Sequence, residues 1–434
     1  MHKPIEIWKG QWQQLIQALE LKSADTYIYF DPPAEKKDIE TVETRLGVLL
    51  PEEFRLLLEE GAAKAQVSWY LPSETIMPFE VSGNVGWDLE VLDFYDFADK
   101  SMDGQKRYLS FHLAGNGDEL LLDLHSPSGT SVVHWAHETG EFRVLAPTIT
   151  VFLERVTELG CVGAEEWQYP DFCDEQGLNP GGSNGMRWMD WLHQYLTLTV
   201  EQAQQELPLL ILYTETNGIH PEVEAAFACY SQEAVLQAWV TRAVEEANLN
   251  NRSQLLCYAG DLLKEYAADF VRTLWGNEPP LKVSRQVRAY LSSVCLPAGE
   301  GLQRVVEELD KQGKHSKLSG YEANSLLQPF RSQQVLKWME DKVSFPFDGW
   351  DTLYIHSQPE ASDVIQWLEG KDVQRRIVIS ALSSLPEGYP LFGSEMEALQ
   401  VRDLLERLQG EAVLKKEKQA VQDALDSLIH LGQA

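Results

Sequence analysis

The strongest constraint on this chain is a change of hydrophobic period partway along it. Between residues 67 and 145 apolar side chains recur at every second position in short runs separated by turn residues, the pattern of half-buried strands. Beyond about Glu165 that alternation nearly vanishes, and apolar spacings of three and four take over. One element cannot satisfy both periods, because a strand turns successive side chains to opposite faces while a helix repeats every ~3.6 residues. The expectation is an α+β N-terminal domain, mainly antiparallel sheet with packed helices, over residues 1–165. An all-α helical domain then covers residues 166–434. At 434 residues the chain is also too long for one ordinary core.

Over residues 6–21, Trp8, Trp12, Leu15, Ile16 and Leu19 fall on one helical stripe. Tyr27-Ile28-Tyr29-Phe30 reads as a short extended piece stopped by Asp31-Pro32-Pro33. Ile39, Val42 and Leu46 line a helix that Gly47 can end in the left-handed conformation. A second helix opens at Leu50-Pro51-Glu52-Glu53, where proline suits the first turn and the glutamates the positive end of the dipole. It buries Phe54, Leu57 and Leu58 and stops near Gly61. Strands are expected at residues 67–71, 75–79, 108–113, 119–124, 131–135 and 142–145, with residues 115–141 forming a central hairpin. Pro147 then starts a helix that lays Ile149, Phe152, Leu153 and Val156 on the sheet.

Glycines at 177, 181, 182 and 185 mark a linker or a loop, followed by a helix over residues 186–196. Helical patterns continue over 221–248, 252–275, 281–295, 300–311 and 398–431. A faint echo links Val335-Leu336-Lys337-Trp338-Met339-Glu340 with Val364-Ile365-Gln366-Trp367-Leu368-Glu369, and more loosely with Val235-Leu236-Gln237-Ala238-Trp239. A helix-pair repeat array would produce such an echo, and so would chance among common helix formers.

Three features in this order carry a family resemblance: the pattern IETVETRLGVLLPEEFRLLL over residues 39–58, the hairpin over 115–135, and Leu145-Ala146-Pro147 followed by Val151-Phe152-Leu153. Together they resemble the SUKH superfamily, in its branch related to the fungal cell-wall-assembly regulator, across roughly the first 160 residues. One departure is Glu60-Gly61-Ala62-Ala63, where the family commonly has Asn-Gly. The resemblance implies a non-enzymatic binding domain. Bacterial members are known chiefly as immunity proteins that neutralise secreted polymorphic toxins, many of them nucleases or deaminases, and fungal members act as interaction hubs.

Charge agrees with that implication independently. Lys and Arg number 36 against 67 Asp and Glu, a formal charge of −31, which disfavours nucleic acid and suits a basic protein partner, such as a toxin domain. Plain solubility would explain the same acidity. Cys161, Cys173, Cys229, Cys257 and Cys295 form no Cys-x-x-Cys pair, which points to a reducing compartment without structural zinc. Residues 1–8 lack the continuous apolar segment of a signal peptide, and the run from 207 to 213 is far below the ~20 residues of a membrane span, so a cytoplasmic protein is expected.

No nucleophile elbow, Walker loop, His-Glu-x-x-His or Cys-x-x-Cys occurs, and no cofactor, metal or catalytic residue is expected. Gly115-Asn116-Gly117-Asp118 reads as a hairpin turn before it reads as an anion cradle. His134 and His137 should point to opposite faces of a strand, which argues against a shared ligand. The candidate partner-binding stretch is residues 86–103, with Trp87, Asp88, Glu90, Asp93, Tyr95, Asp96, Asp99 and Asp103. Aromatic anchors among carboxylates can desolvate against a basic face while the charge steers encounter. The alternative there is an ordinary amphipathic segment with core aromatics. At the level of the whole protein, a toxin-neutralising binder stands beside a scaffold that works through its helical half, with an enzyme as a third class.

Overall fold

The computed structural model describes residues 3–73, 75–95, 107–276, 278–313, 318–343, 345–346, 349–385, 389, 391–392 and 394–431. The chain divides into two units, Met1–Cys229 and Tyr230–Ala434, and each has its own hydrophobic core.

In the first unit, α1 (Lys3–Glu20) turns Trp8, Trp12, Ile16 and Leu19 inward, as the stripe predicts. After β1 (Asp25–Phe30), α2 (Lys36–Leu46) ends at Gly47, whose φ of 69° is the left-handed conformation that residues with a Cβ rarely adopt. α3 (Glu52–Glu60) follows Pro51 and buries Phe54, Leu57 and Leu58. The chain then builds two antiparallel sheets. One has the order β1, β2 (Lys64–Tyr70), β3 (Gly83–Asp88). The other is a meander of β4 (Asp93–Phe94), β5 (Tyr108–Leu113), β6 (Glu119–Asp123), β7 (Ser131–Trp135) and β8 (Phe142–Ala146). α4 (Ile149–Glu158) is capped by Thr148, whose side chain accepts from the Val151 amide at 3.2 Å. It buries Ile149, Phe152, Leu153 and Val156.

Two expectations are corrected here. Residues 75–79 form no strand: Pro78 lies within them and Pro72 shortly before, and the Ile76 amide donates to Glu215 O at 2.9 Å. The place beside β2 is taken by β3, which two glycines had hidden. A Cβ at Gly83 would run into the Trp69 ring, so glycine is what lets β3 close on β2 at that point.

The second correction concerns the end of the first unit, which extends past residue 165. After the short pair β9 (Cys173–Asp174) and β10 (Gly177–Leu178) comes α5 (Ser183–Thr197). Its Trp188 is fully buried, stacks on Trp69 with centroids 6.2 Å apart, and donates from Nε1 to Leu159 O at 2.9 Å. Tyr169, Phe172, Leu178, Trp191 and Tyr195 join the same core. The glycine-rich stretch is thus no linker between domains; part of it starts α5. The unit closes with α6 (Val200–Ala203), α7 (Leu207–Asn217) and α8 (Pro221–Phe227).

The second unit is helical throughout its described residues. It comprises α9 (Gln232–Glu245), α10 (Leu249–Leu263), α11 (Ala268–Leu274), α12 (Arg285–Cys295), α13 (Ala298–Gly313) and α14 (Gly320–Leu327). α15 (Gln333–Lys342), α16 (Trp350–His356), α17 (Ala361–Glu369), α18 (Asp372–Ser383), α19 (Glu395–Glu411) and α20 (Lys415–Leu431) complete it. Several helices are shorter than the sequence pattern implied, because side-chain caps restart them: Ser231 accepts from the Ala234 amide and Asn248 from those of Asn250 and Asn251. The even-numbered helices from α10 to α20 pack each on the next, while α9, α11, α13, α17 and α19 lie against that row. Helices packed on each other along this row are thus two apart in the sequence. The three echoing segments fall on α9, α15 and α17, and Val235, Val335 and Val364 are all core residues.

Among the described residues, no helix is long and apolar enough to cross a membrane.

Candidate protein-binding site

The face of the first sheet that turns away from the core is built by β1 alternation. Ile28 and Phe30 pack on the core, whereas Asp25, Tyr27 and Tyr29 are exposed. Tyr27 and Tyr29 retain 52% and 42% of their accessible surface, and Tyr70 on β2 retains 51%. The register sets Tyr27 opposite Ser68 and Tyr29 opposite Gln66, and across β2 it sets Lys64 opposite Asp88.

At one end of this face lies a cleft of about 470 Å³. Tyr27, Tyr29 and Asp31 line it from β1 and its exit, Asp38, Thr41 and Val42 from α2, and Lys64, Asp88 and Glu90 from the far side. Four carboxylates therefore face one ammonium. Lys64 Nζ already pairs with Asp88 Oδ2 at 2.9 Å, and that hydrogen bond and charge raise its pKa. Tyr29 OH donates to Asp31 Oδ1 at 2.7 Å, which raises the phenol pKa and keeps it protonated. Glu90 is held in place by its own backbone: its amide donates to Asp88 Oδ1 at 3.0 Å, and Arg45 Nη2 donates to Glu90 O at 3.2 Å and to Leu92 O at 2.8 Å. A cleft with phenol walls and uncompensated carboxylates is chemically matched to Lys or Arg side chains, by ion pairing and by cation–π contact.

The candidate stretch 86–103 is only partly in this arrangement. Asp88 and Glu90 line the cleft. Trp87 does not: at 3% exposure it is core, with Nε1 donating to Ala62 O at 2.9 Å, because it falls on the inward parity of β3. Its reading as a partner anchor is corrected accordingly. Asp93 is exposed on β4, with Oδ1 accepting from the Phe94 amide at 2.8 Å. Tyr95 packs against Trp135, with centroids 4.3 Å apart, on the other sheet. Asp96, Asp99 and Asp103 lie outside the described residues. Tyr27, Tyr29, Asp31 and Asp38 were not singled out from sequence, although the alternation Asp25, Tyr27, Tyr29, Asp31 was readable there.

In the central hairpin, the strand-parity expectation for the histidines fails for a simple reason. β7 ends at Trp135, so the chain has left the pleat before His137. Both rings turn to Asp118, which is 1% exposed: His137 Nδ1 lies 2.8 Å from Oδ1 and His134 Nε2 lies 3.7 Å from Oδ2. Burial pushes the Asp118 carboxyl up, but donors from Asn116, His137 and the Glu166 amide outweigh it and hold the pKa below the usual carboxylate value. Burial lowers the His134 pKa. The arrangement ties the hairpin to the segment after α4, a structural task. Among the described residues, no group of three or more His, Cys, Asp and Glu side chains is arranged to hold a metal ion.

Fold and cleft together define an α+β domain with an acidic, tyrosine-lined surface, followed by a helical unit. Residues 33–155 match the model of the SMI1 / KNR4 family (SUKH-1), so the first unit contains a domain of the SUKH superfamily. The match runs from just before α2 into α4; α1 and β1 precede it, and α5 to α8 follow it. No curated protein and no solved structure matches the chain.

Proposed function

We propose that the protein is a binding protein rather than an enzyme, and that it neutralises a basic toxin domain of the nuclease or deaminase class by direct contact. The observation that carries this reading is the cleft of Tyr27, Tyr29, Asp31, Asp38, Asp88 and Glu90 on the SUKH-1 unit. A nuclease or deaminase that handles nucleic acid carries positive charge around its active site, and an acidic partner can occupy that surface in place of phosphate. The membership supports a binding role in general terms, and the net charge of −31 favours a cationic partner.

Co-expression with basic toxin domains encoded beside the gene tests the proposal. Protection of growth and a stable complex on size exclusion are the expected results. Failure to protect against any such toxin, with no complex formed, contradicts it. The helical array favours one second reading, an interaction scaffold whose working part is the second unit. A chain ending at residue 229 separates the two: a neutralising first unit keeps its protection, and a scaffold loses its function.

A further inference from the structure

β1 is an outer strand of its sheet, pairing with β2 on one side and with no strand on the other among the described residues. One hydrogen bond fixes which of its amides face the open side. Asp31 N–H donates to Lys64 O at 2.9 Å, and this pair continues the register in which Tyr29 opposes Gln66. In an antiparallel ladder, residues turned toward the neighbour alternate with residues turned away. Asp25, Tyr27 and Tyr29 therefore direct their backbone groups at β2, and Thr26, Ile28 and Phe30 direct theirs at the open edge. Among the described residues these three amides donate to no backbone carbonyl outside the β1–β2 pair.

The side chains follow the opposite parity. Asp25, Tyr27, Tyr29 and Asp31 share the outer face, about 6.8 Å apart along the strand. An edge of this length pairs readily with another extended segment. Charge selects which one. Self-pairing centred on Ile28 would put Asp25 opposite Asp31 at both ends, a like-charge pairing that destabilises a ladder, in a chain of formal charge −31.

We propose that β1 is a docking edge that takes an extended segment of a basic protein by strand addition, with Lys or Arg at alternate positions of the incoming strand. This deepens the binding reading above and rests on it. Basic side chains opposite Asp25 and Asp31 form ion pairs, and those opposite Tyr27 and Tyr29 lie over the phenol rings. The cleft beyond Asp31, with Asp38 and Glu90, receives the next cation. Main-chain bonds to Thr26, Ile28 and Phe30 supply affinity that is indifferent to sequence, and the alternation supplies the selectivity.

The test uses the full-length protein and two peptides of one composition: Arg-Val-Lys-Val-Lys-Val-Arg, and a block version with its three valines first and its four basic residues last. Titration by fluorescence anisotropy should give the alternating peptide about tenfold tighter binding, since block charge cannot match alternate acids and rings. Thr26→Pro removes one outward donor and leaves the β1–β2 bonds untouched, so it should weaken the alternating peptide about fivefold and spare the block peptide. Asp25→Asn with Asp31→Asn should weaken the alternating peptide while leaving the thermal midpoint near that of the parent. Equal affinity for both peptides, no binding of either, or no effect of Thr26→Pro overturns the strand-addition mode. So does a concentration-dependent dimer that Thr26→Pro abolishes, which would assign the edge to a second copy. A toxin complex that survives Thr26→Pro removes the edge and keeps the binding reading; a parent protein that forms no toxin complex removes the reading itself.

Discussion

His112 shows how one buried side chain converts pH into stability. It sits on β5 with burial driving its imidazole pKa from 6.5 down to about 4. The folded value is the lower one, so between those limits the unfolded chain binds the extra proton. Stability is fully present above pH 6.5 and declines as pH falls toward 4, by about 3 kcal/mol across the window for this group. His134, also lowered by burial, acts in the same direction. Asp118 acts in a lower window: its depressed carboxyl contributes fully above the ordinary carboxylate value, and that contribution is lost as pH falls from there through its folded pKa. Urea midpoints measured from pH 7 to 4.5 should fall for the parent and fall less for His112→Gln; parallel profiles would refute the assignment. Residue-level reading of the sequence succeeded wherever one rule applied throughout, as with the capping glycine at 47. It failed at His137 because strand parity ended two residues earlier, and at Trp87 because β3 was not recognised, which left its inward parity invisible.

At the scale of elements, most of the helices and four strands of the five-stranded meander were legible, since clean periodicity and turn residues mark both, whereas the two-residue β4 was read only as part of an acidic, aromatic stretch. The sequence concealed β3, whose two glycines lower strand propensity, yet Gly83 leaves room for the Trp69 ring and Gly86 for the β2 backbone at Ala65. It also concealed that α5 belongs to the first core, because helical periodicity says which face is buried but not against what. That assignment carries a prediction. Trp188→Ala removes a buried ring that stacks on Trp69 and should destabilise the first unit by about 3–5 kcal/mol, measured by chemical unfolding. A chain cut at residue 165 loses Trp188, Trp191 and Tyr195 from the core and should bind a hydrophobic dye and aggregate, whereas a chain cut at residue 229 should unfold cooperatively. Equal behaviour of the two fragments would contradict the placement of α5. The candidate site was legible by halves. Asp88 and Glu90 stood out as acids, while the tyrosines of β1 looked like strand formers until the register exposed them.

For the whole molecule, the formal charge of −31 bears on partners more than on fold. Association with a basic partner should slow steeply as salt rises, because the Debye length falls from ~10 Å at 0.1 M to ~3 Å at 1 M. Stopped-flow association rates at several salt concentrations would show it, and a salt-independent rate would argue that the acidity serves solubility alone. The repeat echo says little about the second unit, because only a few apolar positions of α9, α15 and α17 coincide, and each of them is met by an ordinary buried helix face. The surface proposed to meet the partner is the β1 face with its acidic cleft. Hydrogen exchange of the full-length protein, with and without a basic toxin domain against which co-expression protects, tests that most directly. The expected result is new protection at residues 25–31, 64 and 88–90, with the second unit unchanged. Protection confined to the helices after residue 230, with the β1 face exchanging as in the free protein, would contradict it.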